Sequence, residues 1–374
     1  MTKLIYKLRL LNRETKVRYF RDDDSMLSSS STLPSKMPIS FIDRSFRYGF
    51  QAIKELSLVS TVNEVIKNDL WSAMQFFISN PRSKRRLHLD YKELAETREI
   101  LLRNSYLYVV VHGSLLYNLA GSIKGENDDA FQEALNSTLE SLISELDYCV
   151  ALDRKIGVIV HPGSYKDRDR GHALVSKNIT EILTRETEES NLIAKKLSIT
   201  PKEARSRRRV ILENSAGEGT KLCTTLEEIS IVIRGVPIEL RSQIGVCIDT
   251  AHAFGAGLYD WGISGETERF YSDFNYTVGL EFLEVFHLND SCRSPKDKRS
   301  DAPFGSKKDR HANLGQGYIF GNEERLLQIK TFMLEALKHK IPVLGEPPTS
   351  PVKDIELVCR LLRDTDFPLL MDFE

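Results

Sequence analysis

From Ser72 onward the chain alternates short apolar runs, rich in β-branched and aromatic residues, with longer stretches of helical periodicity. That pattern predicts βα units and a mainly parallel sheet, whose strands read as continuous apolar runs because both faces are buried. The strand-like runs are Ile39 to Ile42, Ser72 to Ile78, Leu107 to His112, Ile156 to His161, Arg209 to Glu213, Ile244 to Asp249, Phe282 to His287 and Ile341 to Glu346. Helical stretches such as Ala130 to Ala151, Leu174 to Leu197 and Glu324 to Lys338 lie between them. Eight such units predict an α/β fold of the (β/α)8 TIM-barrel class. Ahead of them, residues 22 to 38 read DDDSMLSSSSTLPSKMP, a polar, Ser-rich run with the character of a linker. The expected organisation is an N-terminal extension over residues 1–36 and a barrel over 37–374. Glu188 to Arg208, which runs into a basic RSRRR segment, and the polar Cys292 to Asp301 read as insertions.

Length alone would allow more than one domain, but 374 residues also fit a single barrel with additions. With 52 Lys and Arg against 53 Asp and Glu, overall charge draws the chain to neither nucleic acid nor membrane, so a polyanion site has to be a local patch. The five cysteines are scattered and never spaced as CxxC, which points to reduced thiols and an intracellular setting. No apolar run approaches the ~20 residues that span a bilayer. The start, MTKLIYKLRLLNRETKVRYF, is basic and free of acids until Glu14, a composition shared with organelle-targeting segments.

The candidate chemistry lies in what terminates the apolar runs. LYVVVH ends at His112, IGVIVH at His161, RRVILE at Glu213, IGVCID at Asp249, EFLEVFH at His287 and IPVLGE at Glu346. One polar residue at a strand end is ordinary. Six in sequence form a constellation, because a (β/α)8 barrel gathers the carboxyl ends of all its strands at one face. Imidazole and carboxylate are ligands of zinc, manganese or iron, and burying so many together is costly unless cations compensate them. His252, three residues after Asp249, and the pair Asp309 and His311 add further donors. These nine are too many for one tetrahedral ion and suffice for two or three ions sharing a bridging carboxylate. His88, His172 and His339 sit in basic or polar contexts and are expected at the surface. Phosphate-cradling loops of the GxxxxGK[ST] or GxGxxG type are absent, as is GxSxG.

The blocks HPGSY from His161, ENSAGEG from Glu213, GVCIDTAHAFGAGLYD from Gly245, FHLNDS from Phe286, DRHANLGQG from Asp309 and GEPP from Gly345 occur in this order. Together they resemble the endonuclease IV family of abasic-site DNA repair enzymes, over roughly Ser72 to the C-terminus. The resemblance implies a barrel holding three zinc ions, with manganese or iron as substitutes. His112 and His161 would bind the first, Glu213 would bridge it to the second, Asp249, His287 and Glu346 would complete the second, and His252, Asp309 and His311 would hold the third. It further implies a metal-bound hydroxide as the nucleophile attacking the phosphorus 5′ to an abasic deoxyribose. The products would be a 3′ hydroxyl and a 5′ deoxyribose phosphate, and blocked 3′ ends would be substrates too. The partner is then double-stranded DNA carrying abasic sites or blocked 3′ ends, without a membrane, and the family expectation is a monomer.

The resemblance also assigns the DNA contacts. Arg82, in QFFISNPRSKRR, stands in the loop after the second strand, and Leu115 and Leu116, in HGSLLYNLA, stand where a bulky pair enters the base stack. An aromatic at the position of Leu115 is more usual. The family's first strand carries a GxHxS-like segment, and ISFIDRSFRYGFQAI departs from it. Residues 1–36 and the RSRRR segment have no family counterpart; an additional DNA-contacting arm is one role open to them. Two other readings remain: a metal-dependent sugar isomerase or epimerase on a related barrel, needing fewer ions, and a non-catalytic protein that binds damaged DNA.

Overall fold

A computed structural model describes residues 47–363, apart from 53–56, 69–71, 79, 84–89, 122–128 and 153–154. Eight parallel strands close a barrel: β1 Tyr48–Gln51, β2 Ala73–Phe77, β3 Tyr108–His112, β4 Val158–Val160, β5 Val210–Glu213, β6 Ile244–Asp249, β7 Leu283–His287 and, after two short strands, β10 Val343–Gly345. Each strand pairs with its neighbour in sequence, and β1 closes on β10 through the register Tyr48↔Val343.

The first strand is the one that the apolar pattern misplaces. It is Tyr48–Gln51, and the expected run Ile39 to Ile42 lies outside the described residues, as does the boundary at residues 36 and 37. Gly49 lies on this strand, and the close approach of β1 to β2 requires a glycine there. A β-carbon there would lie 1.7 Å from the carbonyl oxygen of Ala73.

Period-two alternation divides the strand side chains between two cores. Ala73, Val110, Ile159, Ile211, Cys247, Val285 and Leu344 fill the barrel interior. Their neighbours, such as Met74, Val111, Val158, Leu212, Val246, Ile248 and Phe286, face outward and pack against the helices. The helical layer comprises α1 Leu58–Asn68, α2 Tyr91–Arg103, α3 Asp129–Ala151, α4 Arg168–Thr184, α5 Glu188–Leu197, α6 Pro201–Ser206, α7 Leu226–Gly235, α8 Thr250–Gly255, α9 Glu266–Thr277, α10 Glu323–Lys338 and α11 Val352–Arg363.

The continuous helix expected over Leu174 to Leu197 is two helices. Arg185 leaves the helical conformation, and Thr187 opens α5 with a capping box in which its side chain and that of Ser190 satisfy each other's backbone N–H. The Glu188 to Arg208 insertion is therefore α5 and α6, and the RSRRR segment that ends it is structural. It precedes β5, so it lies at the face opposite the strand carboxyl ends. Arg205 pairs with Glu186, Arg207 with Glu203, and Arg209 with Glu284. Arg208 is fully buried, with Nε 2.8 Å from Asp147 Oδ1 and Nη1 donating to the carbonyls of Ile182 and Arg185. This guanidinium ties α3, α4 and β5 together. The arginines of the segment are thus paired with acids at the face remote from the strand carboxyl ends.

Candidate metal centre

The strand ends are level, so the polar terminators meet. His112 at the end of β3 is in register with Phe77 of β2, Glu213 of β5 with Cys247, and Asp249 of β6 with His287 of β7. Glu346 directly follows β10, and His161 directly follows β4. The turn after His161 is locked by Gly163, whose φ of +104° and closeness to Asn118 exclude a side chain; Asn118 Oδ1 accepts from Ser164 N at 3.0 Å. His252 lies on α8, whose first turn Asp249 caps by accepting from His252 N at 2.9 Å. Asp309 and His311 come from a hairpin formed by β8 Asp290–Ser291 and β9 His311–Ala312.

All nine expected donors converge, and Glu213 is the hub. His112 Nε2 lies 3.3 Å and His161 Nε2 3.5 Å from its Oε2, while His287 Nδ1 lies 2.9 Å from its Oε1. Among the expected donors, three sets have ligand atoms within 4.8 Å of one another: His112, His161 and Glu213; Glu213, Asp249, His287 and Glu346; and Asp249, His252 and His311. Asp309 adjoins the third set, with Oδ2 3.1 Å from His252 Nε2 and Oδ1 3.4 Å from His311 Nε2. The five imidazoles form a chain of neighbouring rings, from His287 through His112, His161 and His252 to His311, with centroids 5.5 to 6.0 Å apart.

The surroundings fix which nitrogen of three rings faces the cup. His112 Nδ1 donates to the carbonyl of Gly113 at 2.8 Å, which turns Nε2 inward. His252 Nδ1 donates to the carbonyl of Asn214 at 2.9 Å, with the same result. His287 is reversed. Its Nε2 donates to Gln75 Oε1 at 2.8 Å, and Nδ1 faces the carboxylates. Gln75 spends both amide protons on Gln51 Oε1 and Glu346 Oε1, each at 2.7 Å, so its oxygen must face the imidazole. Asn289 Nδ2 donates to Asp249 Oδ2 at 2.6 Å, and Asn289 Oδ1 accepts from Glu346 N.

Electrostatically the cup suits cations. Burial opposes the charge of Glu213, but His161, His287 and the hydrogen bond from His112 outweigh it and hold this carboxyl well below its usual range. Burial likewise opposes charging His252 and His287, yet nearby anionic groups raise both well above the ordinary imidazole value. For His161, burial prevails and lowers the group to about 4. A divalent ion competes with a proton for the same nitrogens, so these imidazoles suit metal exchange. The donor set also fits in a second respect: His161 Nδ1 is buried without a hydrogen-bond partner, and His252 Nε2 and His311 Nε2 are buried against carboxylate oxygens without a well-directed hydrogen bond, a state rare for buried nitrogens.

The residues expected to meet DNA flank this cup. Arg82 is exposed on the loop after β2, and Leu115 and Leu116 on the loop after β3 are 49% and 47% exposed. The two loops are joined, since Pro81 O accepts from Leu115 N and from Ser114 Oγ. Lys84, Arg85, Arg86 and His88 lie outside the described residues. His172 is buried rather than at the surface, packed within α4 and 3.7 Å from Glu228.

Several neighbours of the donors are not legible in the sequence pattern. Gln75, Gln51, Asn214 and Asn289 support the donors, and the one available signal is an amide inside or just after an otherwise apolar strand. Cys247 lies beneath the cup against His287, with its thiol pushed up to about 12 by burial. It stands two residues before Asp249, on the same strand face. Lys221 Nζ at the rim lies 3.6 Å from Asp309 and 3.7 Å from Glu218.

Residues 71–333 match the model of the family described as Xylose isomerase-like TIM barrel. A probable endonuclease 4 of Halothermothrix orenii is 30% identical over 298 residues, which cover 78% of this chain and 91% of that protein. Apurinic-apyrimidinic endonuclease 1 of Saccharomyces cerevisiae is 32% identical over 241 residues, 64% of this chain and 54% of the yeast protein. The crystal structure of endonuclease IV from Thermus thermophilus superposes with a TM-score of 0.62 at 28% identity, covering 85% of this chain and 97% of that one. With its eight-stranded barrel and its nine clustered donors, the chain belongs to the endonuclease IV family of xylose isomerase-like TIM barrels.

Proposed function

We propose that this protein is a DNA repair endonuclease that hydrolyses the phosphodiester 5′ to an abasic site, using divalent metal ions held by its nine donors, with zinc as the expected metal. The observation that carries the reading is the merging of the ligand sets through Glu213, which would bring two ions within reach of one phosphate. Such ions would supply Lewis-acid charge that acidifies an attacking water and stabilises the leaving oxygen. His112, His161 and Glu213 would hold the first, Glu213, Asp249, His287 and Glu346 the second, and His252, Asp309 and His311 the third. Three divalent ions carry six positive charges against the four carboxylates Glu213, Asp249, Asp309 and Glu346. The surplus suits an anionic phosphodiester.

The chain's own residues do the positioning. Gln75, Asn214 and Asn289 orient the donors, and no side-chain nucleophile is required. Leu115 and Leu116 would wedge into the base stack while Arg82 supports the opened duplex, turning the abasic nucleotide toward the cup. The same cup would accept a blocked 3′ end, since that substrate presents the same phosphodiester chemistry. A sugar isomerase would have no use for His252, Asp309 and His311 as a third set, and a silent DNA-binding protein none for the intact donors.

The test pairs elemental analysis of the purified protein with incision of a duplex carrying one abasic analogue, before and after prolonged chelation. About three zinc equivalents with chelator-sensitive cutting 5′ to the lesion is the expected result. One divalent ion or fewer and no incision would overturn the reading.

A further inference from the structure

The excursion between β8 and β9, residues 292–310, carries seven basic residues, Arg293, Lys296, Lys298, Arg299, Lys307, Lys308 and Arg310, against three acids, Asp297, Asp301 and Asp309, in a chain whose formal net charge is −1. The acids of the loop are held by hydrogen bonds or by the metal centre, and none forms an ion pair with the loop's exposed cations. Asp297 is engaged by neighbours in its own turn, accepting from Arg299 N at 3.0 Å and Ser300 Oγ at 2.6 Å. Asp301 accepts from Ser294 N at 2.8 Å and Tyr318 Oη at 2.9 Å. Asp309 belongs to the metal centre. Arg310 pairs with Glu218, and Lys308 Nζ turns inward to the carbonyls of Lys298 and Asp301. The side chains of Arg293, Lys296, Lys298, Arg299 and Lys307 are exposed, and none forms an ion pair with an acid among the described residues.

The excursion is also fixed in place beside the cup. Cys292 N donates to Arg310 O and Ala302 N to Cys292 O, which closes the loop on itself. Gly305 N and Lys307 N donate to the carbonyls of Phe254 and Gly255 at the end of α8, the helix that carries His252. One foot of the loop runs directly into Asp309 and His311. The cations thus stand on a braced wall at the third ligand set, on the face where the strand carboxyl ends open.

We infer that the Lys296–Arg299 turn of this excursion is a second DNA-contacting surface, which binds backbone phosphates of the duplex flanking the lesion. The inference rests on the proposed function, and it extends the DNA footprint beyond Arg82, Leu115 and Leu116. Exposed, unpaired Lys and Arg on a rigid loop recognise a regular array of phosphates without reading sequence. Bracing the loop backbone in advance reduces what binding would otherwise cost in loop ordering.

The test uses the full-length, metal-loaded protein with Lys296→Ser, Lys298→Ser and Arg299→Ser combined. Binding of an undamaged duplex is measured between 50 and 200 mM salt, alongside steady-state incision of an abasic duplex. Each phosphate neutralised by one of these cations adds about 0.9 to the slope of log affinity against log salt, and the variant forgoes that increment. For one to three such phosphates, the parent should therefore lose about 3- to 40-fold more affinity than the variant across that range. KM for abasic DNA should rise at low salt, while kcat at saturating DNA and the metal content stay at parental levels. A parental slope and KM in the triple variant would overturn the inference. Glu at the same three positions guards against a folding artefact, since it must weaken low-salt binding further than Ser does while the melting temperature is unchanged. A parent that binds the duplex with the loop-dependent slope but never incises it would refute the proposed function and leave this surface standing.

Discussion

Gln75 offers the sharpest test of how the metal centre is organised, because it touches no expected substrate atom and yet sets two ligands. Its side chain is fully buried, accepts from His287 Nε2 at 2.8 Å, and donates to Glu346 Oε1 and Gln51 Oε1 at 2.7 Å. Gln75→Met keeps the volume and removes all three hydrogen bonds. His287 Nε2 and Glu346 Oε1 are then left unpaired in a buried site, at about 1–3 kcal/mol for each such group. The imidazole proton is also released from Nε2 and can move to Nδ1, the nitrogen that faces Glu213 and Glu346. Loss of a supporting partner of this kind costs about 10- to 100-fold in metal affinity, or roughly 1.4–2.7 kcal/mol.

The assay is metal retention against graded chelator, read by elemental analysis, with incision at limiting and saturating zinc in parallel. One equivalent of metal should leave the variant at about 10- to 100-fold lower chelator strength than the parent. Saturating zinc should restore incision to within about tenfold of the parent. Gln75→Glu separates orientation from hydrogen-bond loss, since it still accepts the His287 proton while adding a negative charge beside Glu346; it should retain metal better than Gln75→Met. Parental metal retention in Gln75→Met would refute the reasoning, because it would mean that the His287 tautomer is set elsewhere.

Four further outcomes are expected. Glu213→Gln should cut incision by more than about 100-fold, since even supporting residues of a metal ligand cost 10- to 100-fold; full-rate incision would remove it as the bridging ligand. Leu115→Ser with Leu116→Ser should raise KM for abasic duplex by about tenfold or more, the worth of one base-stacking interaction, with an unchanged melting temperature because both side chains are exposed. Arg208→Ala should lower stability in chemical denaturation by about 3–5 kcal/mol, since it strands the buried Asp147 carboxylate, and should leave the rate of incision by folded protein near parental. His172 is held neutral chiefly by burial, with its pKa lowered, so its contribution to stability is complete above about pH 6.5 and is lost as pH falls below that value. His172→Leu should accordingly lose less stability than the parent between pH 7.5 and 5.5, as read by urea midpoints.

The barrel was legible because parallel strands buried on both faces leave unbroken apolar runs, and because each run stops at a polar residue that the closed topology carries to one face. β1 was not, since YGFQ is short, half polar, and defined by the closeness of Gly49 to Ala73 rather than by any pattern of its own. The break between α4 and α5 was hidden for a similar reason: the Thr187–Ser190 capping box is written in residues that also suit a helix surface. Gln75 stayed invisible because its partners are remote. His287 is 212 residues away and Glu346 is 271, so only closure of the barrel discloses them.

The two basic segments show where reading charge from sequence fails. RSRRR looks like the stronger polyanion site, being a cationic run broken only by Ser206 and free of acids. Yet Glu186, Glu203, Asp147 and Glu284, up to 75 residues away in sequence, take up its arginines at the face remote from the cup. CRSPKDKRSD looks closer to neutral because aspartates are interleaved with its cations. Folding turns those aspartates onto backbone amides and hydroxyls, so that they form no side-chain ion pair with Lys296, Lys298 or Arg299. What decides whether a basic segment remains free for DNA is therefore the fate of the acids, and that fate is set by turns and tertiary contacts rather than by composition. On this ground the weaker-looking segment is the one to mutate, and the salt dependence of DNA binding should follow Lys296, Lys298 and Arg299 rather than the arginines before β5.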